Sequence, residues 1–206
     1  MSDRNRWRGF WQRIGARGEP LPVHDEFVRA YLQPHRAYHN LRHIDDCLRQ
    51  LDLARDLAES PDAVEMALWF HDVVYEPRAK DNEEKSAEWA RRVGRDAGLA
   101  GEFATAVEAL ILATKHDALP ATPDARLIVD IDLSILGRSG PDFDAYEEAI
   151  RQEYRWVPDL LFRPGRAKIL RAFLARPAIY STQRFHAHLE QAARKNLERS
   201  LVRLGD

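Results

Sequence analysis

Apolar residues recur at helical spacing along almost the whole chain, and this periodicity constrains the fold most strongly. Trp7, Phe10, Trp11 and Ile14 follow the i, i+3, i+4, i+7 pattern of one helix face, and residues 103–114 carry a similar stripe. No linker rich in Pro, Gly or Ser interrupts the pattern. The sequence therefore predicts an all-α fold, a helical bundle in a single domain over residues 1–206.

Proline placement marks two helix starts, because Ser60-Pro61-Asp62 and Thr122-Pro123-Asp124 each set a capping hydroxyl before a proline. Residues 127–136 also alternate with the period of two that is typical of a strand. We interpret them as helical, because no second strand pattern offers them a partner. The predicted helices lie near residues 4–15, 22–33, 40–58, 61–75, 82–98, 101–116, 124–137, 142–155, 165–175 and 180–203.

The composition is that of one ordinary water-soluble domain, with 206 residues, a formal net charge of −2 and 45% hydrophobic residues. A chain of this length builds a hydrophobic core without disulfides or structural metals, so any metal is expected to be functional. The single cysteine, Cys47, excludes an internal disulfide framework and a zinc site built on cysteines. We interpret Cys47 as a small buried hydrophobe and expect histidines and carboxylates to carry any metal chemistry.

No apolar stretch is long enough for a membrane helix, and the first residues lack the features of a signal peptide. We therefore expect a cytoplasmic protein with no membrane partner. Charges are interspersed rather than gathered into a basic block, so no nucleic-acid partner is expected. Trp7 and Trp11 form an apolar face that docks either on the rest of the chain or on a second subunit, which makes a homodimer one expectation.

Two clusters of ionisable residues carry histidines. His39 and His43 are four residues apart, which places them on nearly the same face of a helix, although two exposed histidines on a polar helix would look the same. His71 and Asp72 interrupt the apolar run of residues 68–75, where each ionisable group needs a partner. A metal, an ion pair or hydrogen bonds within the core would supply that partner.

A third cluster holds Asp130 and Asp132 among branched apolar residues. A buried carboxylate in such surroundings is a natural ligand for a divalent ion. Two positions apart on a helix do not both face inward, so one of the two is expected to serve as a cap or turn residue instead. Which of them would bind a metal stays open from the residues alone.

These motifs resemble the HD-domain metal-dependent phosphohydrolases, whose ligand set is His, His-Asp and Asp on an all-helical bundle. Tyr-His-Asn-x-x-His at 38–43, Phe-His-Asp at 70–72 and Asp-Leu-Ser at 132–134 look like the metal motifs of cyclic-nucleotide phosphodiesterases, in the same order. The whole chain is more similar to a small bacterial group of predicted HD phosphohydrolases. The motif core covers about residues 35–137, with helices over 142–203 packing on it.

The resemblance implies that His43, His71, Asp72 and Asp132 bind one or two divalent ions, with Mn, Fe, Co, Ni, Zn or Mg as candidates. It implies His39 as the general acid. The chain lacks the proline-glycine and the second histidine that follow His-Asp in the phosphodiesterases, and it has no counterpart of their purine-binding glutamine. A second metal site and a cyclic-nucleotide substrate are therefore not favoured.

Further site residues flank these motifs. Glu83 and Glu84 are either the start of a helix or a base that orients water, and His116 is either a helix-end residue or a contact to substrate or a second ion. Lys115 and Arg42 are expected to meet a phosphate.

We therefore expect a phosphohydrolase of a small phosphorylated molecule, such as a nucleotide. A metal- or ligand-binding module without turnover is the alternative, and a di-iron oxygenase of HD type ranks third.

Overall fold

The computed structural model describes residues 4–205; the first three residues and the last residue of the predicted domain lie outside them. The described part contains ten α-helices and two short 3-10 helices, and it has no strand. The helices are α1 (Arg4–Arg13), α2 (Pro20–Tyr31), α3 (Leu41–Ala54), α4 (Pro61–Phe70), α5 (Asn82–Asp96), α6 (Gly101–Ala113), α7 (Pro123–Asp132), α8 (Gly140–Glu153), α9 (Asp159–Leu174) and α10 (Gln183–Leu204); the 3-10 helices are Arg55–Leu57 and Leu133–Gly137.

The all-α prediction is confirmed, and each predicted helix has a counterpart. The segment that resembled a strand is helical, because α7 continues into the second 3-10 helix. Within the described residues, no helix is both long and apolar enough to cross a membrane.

Helix α9 begins earlier than predicted, at Asp159 rather than near residue 165. A helix interior normally excludes proline, which lacks the N–H that the helix needs. The structure instead keeps Pro164 inside the helix. The residue four positions earlier, Leu160, is 89% exposed. The hydrogen bond that Pro164 cannot make is the one to the carbonyl of Leu160, near the start of the helix.

The chain divides into two compact units, the described residues up to Val129 and those from Asp130 onward. The prediction of a single domain stays a prediction.

Helix α4 is the centre of the first unit. It packs against α3, α5 and α6, and all its residues from Ala63 to Phe70 are buried. Helix α1 lies in the same unit, with Trp7 and Trp11 buried among aromatic rings. The Trp7 ring centroid lies 5.1 Å from that of Phe27 and 5.5 Å from that of Trp69. The apolar face of α1 therefore docks within its own unit; a homodimer stays a prediction.

One buried carboxylate joins α1 to α4. The Glu65 side chain is 2% exposed and accepts hydrogen bonds from Arg6 at 3.0 Å, Arg13 at 2.6 Å and Arg55 at 2.7 Å. Because Arg6 and Arg13 of α1 both bind this buried carboxylate of α4, the position of α1 on α4 is well defined.

In the second unit, α10 packs against α9 and against the 3-10 helix that ends at Gly137. A Cβ atom at Gly137 would lie 2.6 Å from the Cβ of Leu189, a distance that real contacts do not reach. Glycine at this position is what lets α10 approach so closely.

Candidate metal centre

The centre is built from the start of α3 and the end of α4. Asn40 caps α3, because its side chain accepts a hydrogen bond from the backbone N–H of Arg42 at 2.9 Å. His43 therefore lies in the first turn of α3, on the buried side. Helix α4 ends at Phe70, five residues earlier than predicted, and His71 closes its last turn through a bond to the carbonyl of Ala67.

Three donor atoms converge between these two helix ends. The Nε2 atoms of His43 and His71 lie 3.1 Å apart. Oδ2 of Asp72 lies 3.4 Å from Nε2 of His43 and 3.2 Å from Nε2 of His71. Ligands bound at about 2.0–2.1 Å around one ion are roughly 3.0–3.4 Å apart in octahedral or tetrahedral geometry. The three atoms therefore have the spacing that a shared divalent ion requires.

Hydrogen bonding prepares His71 to be a ligand. Its Nδ1 lies 3.1 Å from the carbonyl oxygen of Leu68. A carbonyl only accepts, so Nδ1 carries the proton and Nε2 of the neutral ring keeps its lone pair for the centre. Metal-binding histidines commonly donate their second ring N–H in this way, which fixes the tautomer and the ring orientation.

Asp72 supplies a charged oxygen that lacks a hydrogen-bond partner. Its Oδ2 is buried and accepts no hydrogen bond within the described residues. Burial by itself would raise the pKa of this carboxyl, but the nearby imidazoles of His71, His39 and His43 hold it well below its usual range. An ionised, unpartnered oxygen beside two imidazole nitrogens fits a cation.

Cys47 is the residue that the sequence interpretation underrated. It lies one turn after His43 on α3, and its sulfur is 3.7 Å from Nε2 of that ring. His43, Cys47 and His71 each offer a ligand atom within 4.8 Å of the others. The spacing of four residues between His43 and Cys47 indicates that both side chains lie on one face of α3. Thiolates are ligands for zinc and related ions. The interpretation of Cys47 as a buried side chain is confirmed, and its role as a ligand is an additional candidate.

The two aspartates of the third motif belong to the second unit. Asp130 is fully buried and accepts hydrogen bonds from the backbone N–H groups of Ser181 and Thr182, at 2.8 and 2.7 Å, and from the Thr182 hydroxyl at 2.7 Å. Asp130 therefore holds the backbone just before α10, which is the cap or turn role expected for one of the two aspartates. Asp132 is the last residue of α7, and its role as a metal ligand stays a prediction.

His39 does not lie on α3, so the argument from a shared helix face is wrong. The cap at Asn40 starts the helix after His39, which belongs to the preceding loop. The ring nevertheless reaches the centre, with its centroid 6.1 Å from that of His43. On the other side it stacks on Tyr75 at 4.1 Å. The loop, rather than helical spacing, brings the half-buried His39 beside the candidate metal ligands.

A buried arginine holds the two loops that carry His39 and Asp72. The Arg36 guanidinium donates to the carbonyl of His39 at 3.1 Å, of Asp72 at 2.6 Å and of Val73 at 2.9 Å. His35 adds a contact of 2.9 Å from Nε2 to the carbonyl of Tyr75. Arg36 thus positions the backbone on both sides of the centre.

The two glutamates differ in their surroundings. Glu84 is exposed and pairs with Lys115, which lowers the pKa of Glu84 and raises that of Lys115. Glu83 is half-buried, and burial raises the pKa of its carboxyl, with a further contribution from the negative charge of Asp72. Of the two predicted bases, Glu83 is the one whose pKa is raised, which is the direction that favours a general base.

The remaining predicted substrate contacts lie on loops or at the surface. Arg42 is exposed in the first turn of α3. Helix α6 ends at Ala113, so Lys115 and His116 follow it in a loop rather than forming its last turn. His116 has a positive φ of 60°, an uncommon conformation outside glycine that is costly for the backbone.

No family model, no curated protein and no solved structure matches this chain. The HD-domain resemblance therefore depends on the motifs, and the metal centre on the residues just described.

Proposed function

We propose that this chain is a metal-dependent phosphohydrolase that cleaves a phosphate ester or anhydride of a small molecule, such as a nucleotide. The observation that supports the proposal most is the set of three donor atoms from His43, His71 and Asp72. Two imidazoles and a carboxylate suit borderline divalent ions such as Mn, Fe, Co, Ni or Zn better than Mg. Asp132 is proposed as a further ligand from the motif order.

A bound divalent ion would lower the pKa of a coordinated water and offset the charge of a phosphate. In hydrolysis the water oxygen bonds to phosphorus and the bond from phosphorus to the leaving oxygen breaks. Glu83 would accept the proton that the water loses, and a protonated His39 would donate one to the leaving oxygen. The stacking of the His39 ring on Tyr75 would orient the ring for that transfer.

A binding module without turnover is the second candidate, and the position of Cys47 favours it. If Cys47 joins both histidines and one carboxylate around a single ion, four protein ligands close the coordination. Closed four-ligand sites are typical of structural metals, whereas catalytic sites keep a position for water. The number of protein ligands therefore separates the two candidates.

Metal analysis combined with a turnover screen tests the proposal. The purified protein is expected to hold stoichiometric metal and to hydrolyse nucleotides or generic phosphate esters with Mn, Co, Ni, Zn or Mg added. The isosteric change Asp72→Asn is expected to lower the metal content at least tenfold, because it removes the charged oxygen. Asp62→Asn is the matched control, since Asp62 pairs with Arg13 and Arg55 on the surface and is expected to keep the metal.

His39→Ala is expected to retain the metal and lose turnover, because His39 is assigned to proton transfer. Full metal content in Asp72→Asn would contradict the assignment of the centre. Stoichiometric metal with no turnover on any phosphate ester or anhydride would favour the binding module.

A further inference from the structure

A cavity of about 580 Å³ lies in the first unit beside the segment that follows Asp72. Its walls come from α2, the loop before α3, the segment Val73–Glu76 and α5. None of the residues that line it is a donor of the metal centre. We propose that this cavity is an accessory site for a small organic anion that combines a phosphate with a flat ring, as a nucleoside monophosphate does.

The charge of the lining residues supports an anion. Arg29, Arg36 and Arg92 outnumber the two acidic lining residues, Glu26 and Glu76. Arg36 is 6% exposed, so its charge lies in a buried, weakly screened position. Arg29 and Arg92 are exposed and form no ion pair with any described residue, which leaves both guanidinium groups able to bind phosphate oxygens.

The aromatic lining supports a flat ring. The Arg92 guanidinium carbon lies 5.7 Å from the centroid of the Trp89 ring, and Tyr75 lines the same cavity.

The cavity lies against the backbone of the segment that follows Asp72. Val73–Glu76 forms one wall, and Arg36 and His35, which also line the cavity, hold the carbonyls of Asp72, Val73 and Tyr75. A ligand that contacts these residues is therefore expected to reduce the motion of Val73–Glu76. This accessory site does not depend on the proposed hydrolysis, because its lining residues are separate from the metal donors.

Calorimetric titration with adenosine 5′-monophosphate tests the site, using the full chain kept metal-free with a chelator. One equivalent is expected to bind, and adenosine or inorganic phosphate alone is expected to bind more weakly, because each supplies half of the contacts. Arg29→Gln and Arg92→Gln are each expected to weaken binding about tenfold, the loss of one charge-assisted contact. Arg91→Gln is the matched control, since Arg91 is the exposed neighbour of Arg92 and does not line the cavity.

Two further measurements locate the ligand. Trp89→Phe keeps a ring in the cavity wall, so binding is expected to persist while the ligand-dependent change in tryptophan fluorescence is lost. Hydrogen exchange of residues 73–76 is expected to slow when the nucleotide binds.

The proposal would be overturned by an absence of binding to the metal-free protein, or by an equal loss in Arg91→Gln and Arg92→Gln. Binding that requires added metal would also overturn it, because the nucleotide would then occupy the metal centre. Retained binding in Asp72→Asn, with metal content lost, would support the accessory site whatever the outcome for hydrolysis.

Discussion

Replacing Arg36 with lysine tests whether this buried side chain organises the metal centre. The guanidinium donates four hydrogen bonds, to the carbonyls of His39, Asp72 and Val73 and to the side chain of Gln33. It also lies 5.2 Å from the ring centroid of Tyr31 and 5.6 Å from that of Tyr75. Arg36→Lys keeps the positive charge but changes the number and direction of the N–H groups that donate hydrogen bonds.

The magnitude follows from the number of bonds that lysine retains. An ammonium group donates from one nitrogen, whereas the guanidinium spreads its donors over three, so lysine is expected to keep about two of the four bonds. A hydrogen bond to a charged group contributes roughly 1.5–3 kcal/mol. We therefore expect Arg36→Lys to lower the free energy of unfolding by at least about 3 kcal/mol.

The metal affinity distinguishes positioning from stability alone. Loss of an outer residue that orients metal ligands commonly lowers affinity about 10–100-fold, and the folded variant is expected to show a loss in this range. Urea unfolding of the metal-free protein measures the first effect, and competition with a chelating dye measures the second. Arg91→Lys on the exposed side of α5 serves as the control. A loss of stability below about 1 kcal/mol with unchanged metal affinity would refute the role assigned to Arg36.

Two further predictions concern the loop after α6 and the packing of α10. His116→Gly is expected to raise the free energy of unfolding by about 0.5–1 kcal/mol, because glycine adopts a positive φ without the penalty of a side chain; urea unfolding measures this, and His116→Ala should show no gain. Burial alone would raise the pKa of Glu190, but hydrogen bonds from the backbone N–H groups of Ile179 and Tyr180 and from Arg194 hold it below its ordinary 4.5. Its stabilisation is therefore complete above about pH 4.5 and is lost as the pH falls through the lowered value. Glu190→Gln should reduce the dependence of the free energy of unfolding on pH between about 2 and 5. An unchanged pH dependence in this range would contradict the role assigned to Glu190.

The positions of the helices, and His71 and Asp72 of the candidate metal centre, could be predicted from the sequence. The apolar stripes of α1 and α6 and the proline at the start of α4 depend on local spacing, which a sequence displays directly. His71 and Asp72 stood out because ionisable residues in an apolar run need partners. The hydroxyl of Thr122 accepts the predicted capping bond, from the N–H of Ala125, whereas α4 begins after Ser60 as predicted but the Ser60 side chain makes no capping hydrogen bond.

Contacts between distant segments were not predictable in the same way. Arg36 is 36 residues away from Asp72 in the chain, and no spacing rule relates a loop arginine to the carbonyls it will meet. The hydrogen bonds of Asp130 to Ser181 and Thr182 likewise join positions about fifty residues apart. Cys47 was visible one turn after His43, but its proximity to His71 depends on how α3 and α4 pack.

The end of α4 at Phe70 limits how the length of this helix can change. Within a continuous helix, neighbouring side chains point about 100° apart, so His71 and Asp72 would diverge. His71 keeps helical backbone angles, φ −55° and ψ −36°, at the end of α4, and Asp72 directly after it brings Oδ2 within 3.2 Å of the His71 Nε2 atom. Inserting or deleting one residue in α4 would turn this pair by about 100° relative to the buried face, and even four inserted residues would shift it about 6 Å along the axis. Related chains are therefore expected to vary in the loops around α4 while keeping its length constant.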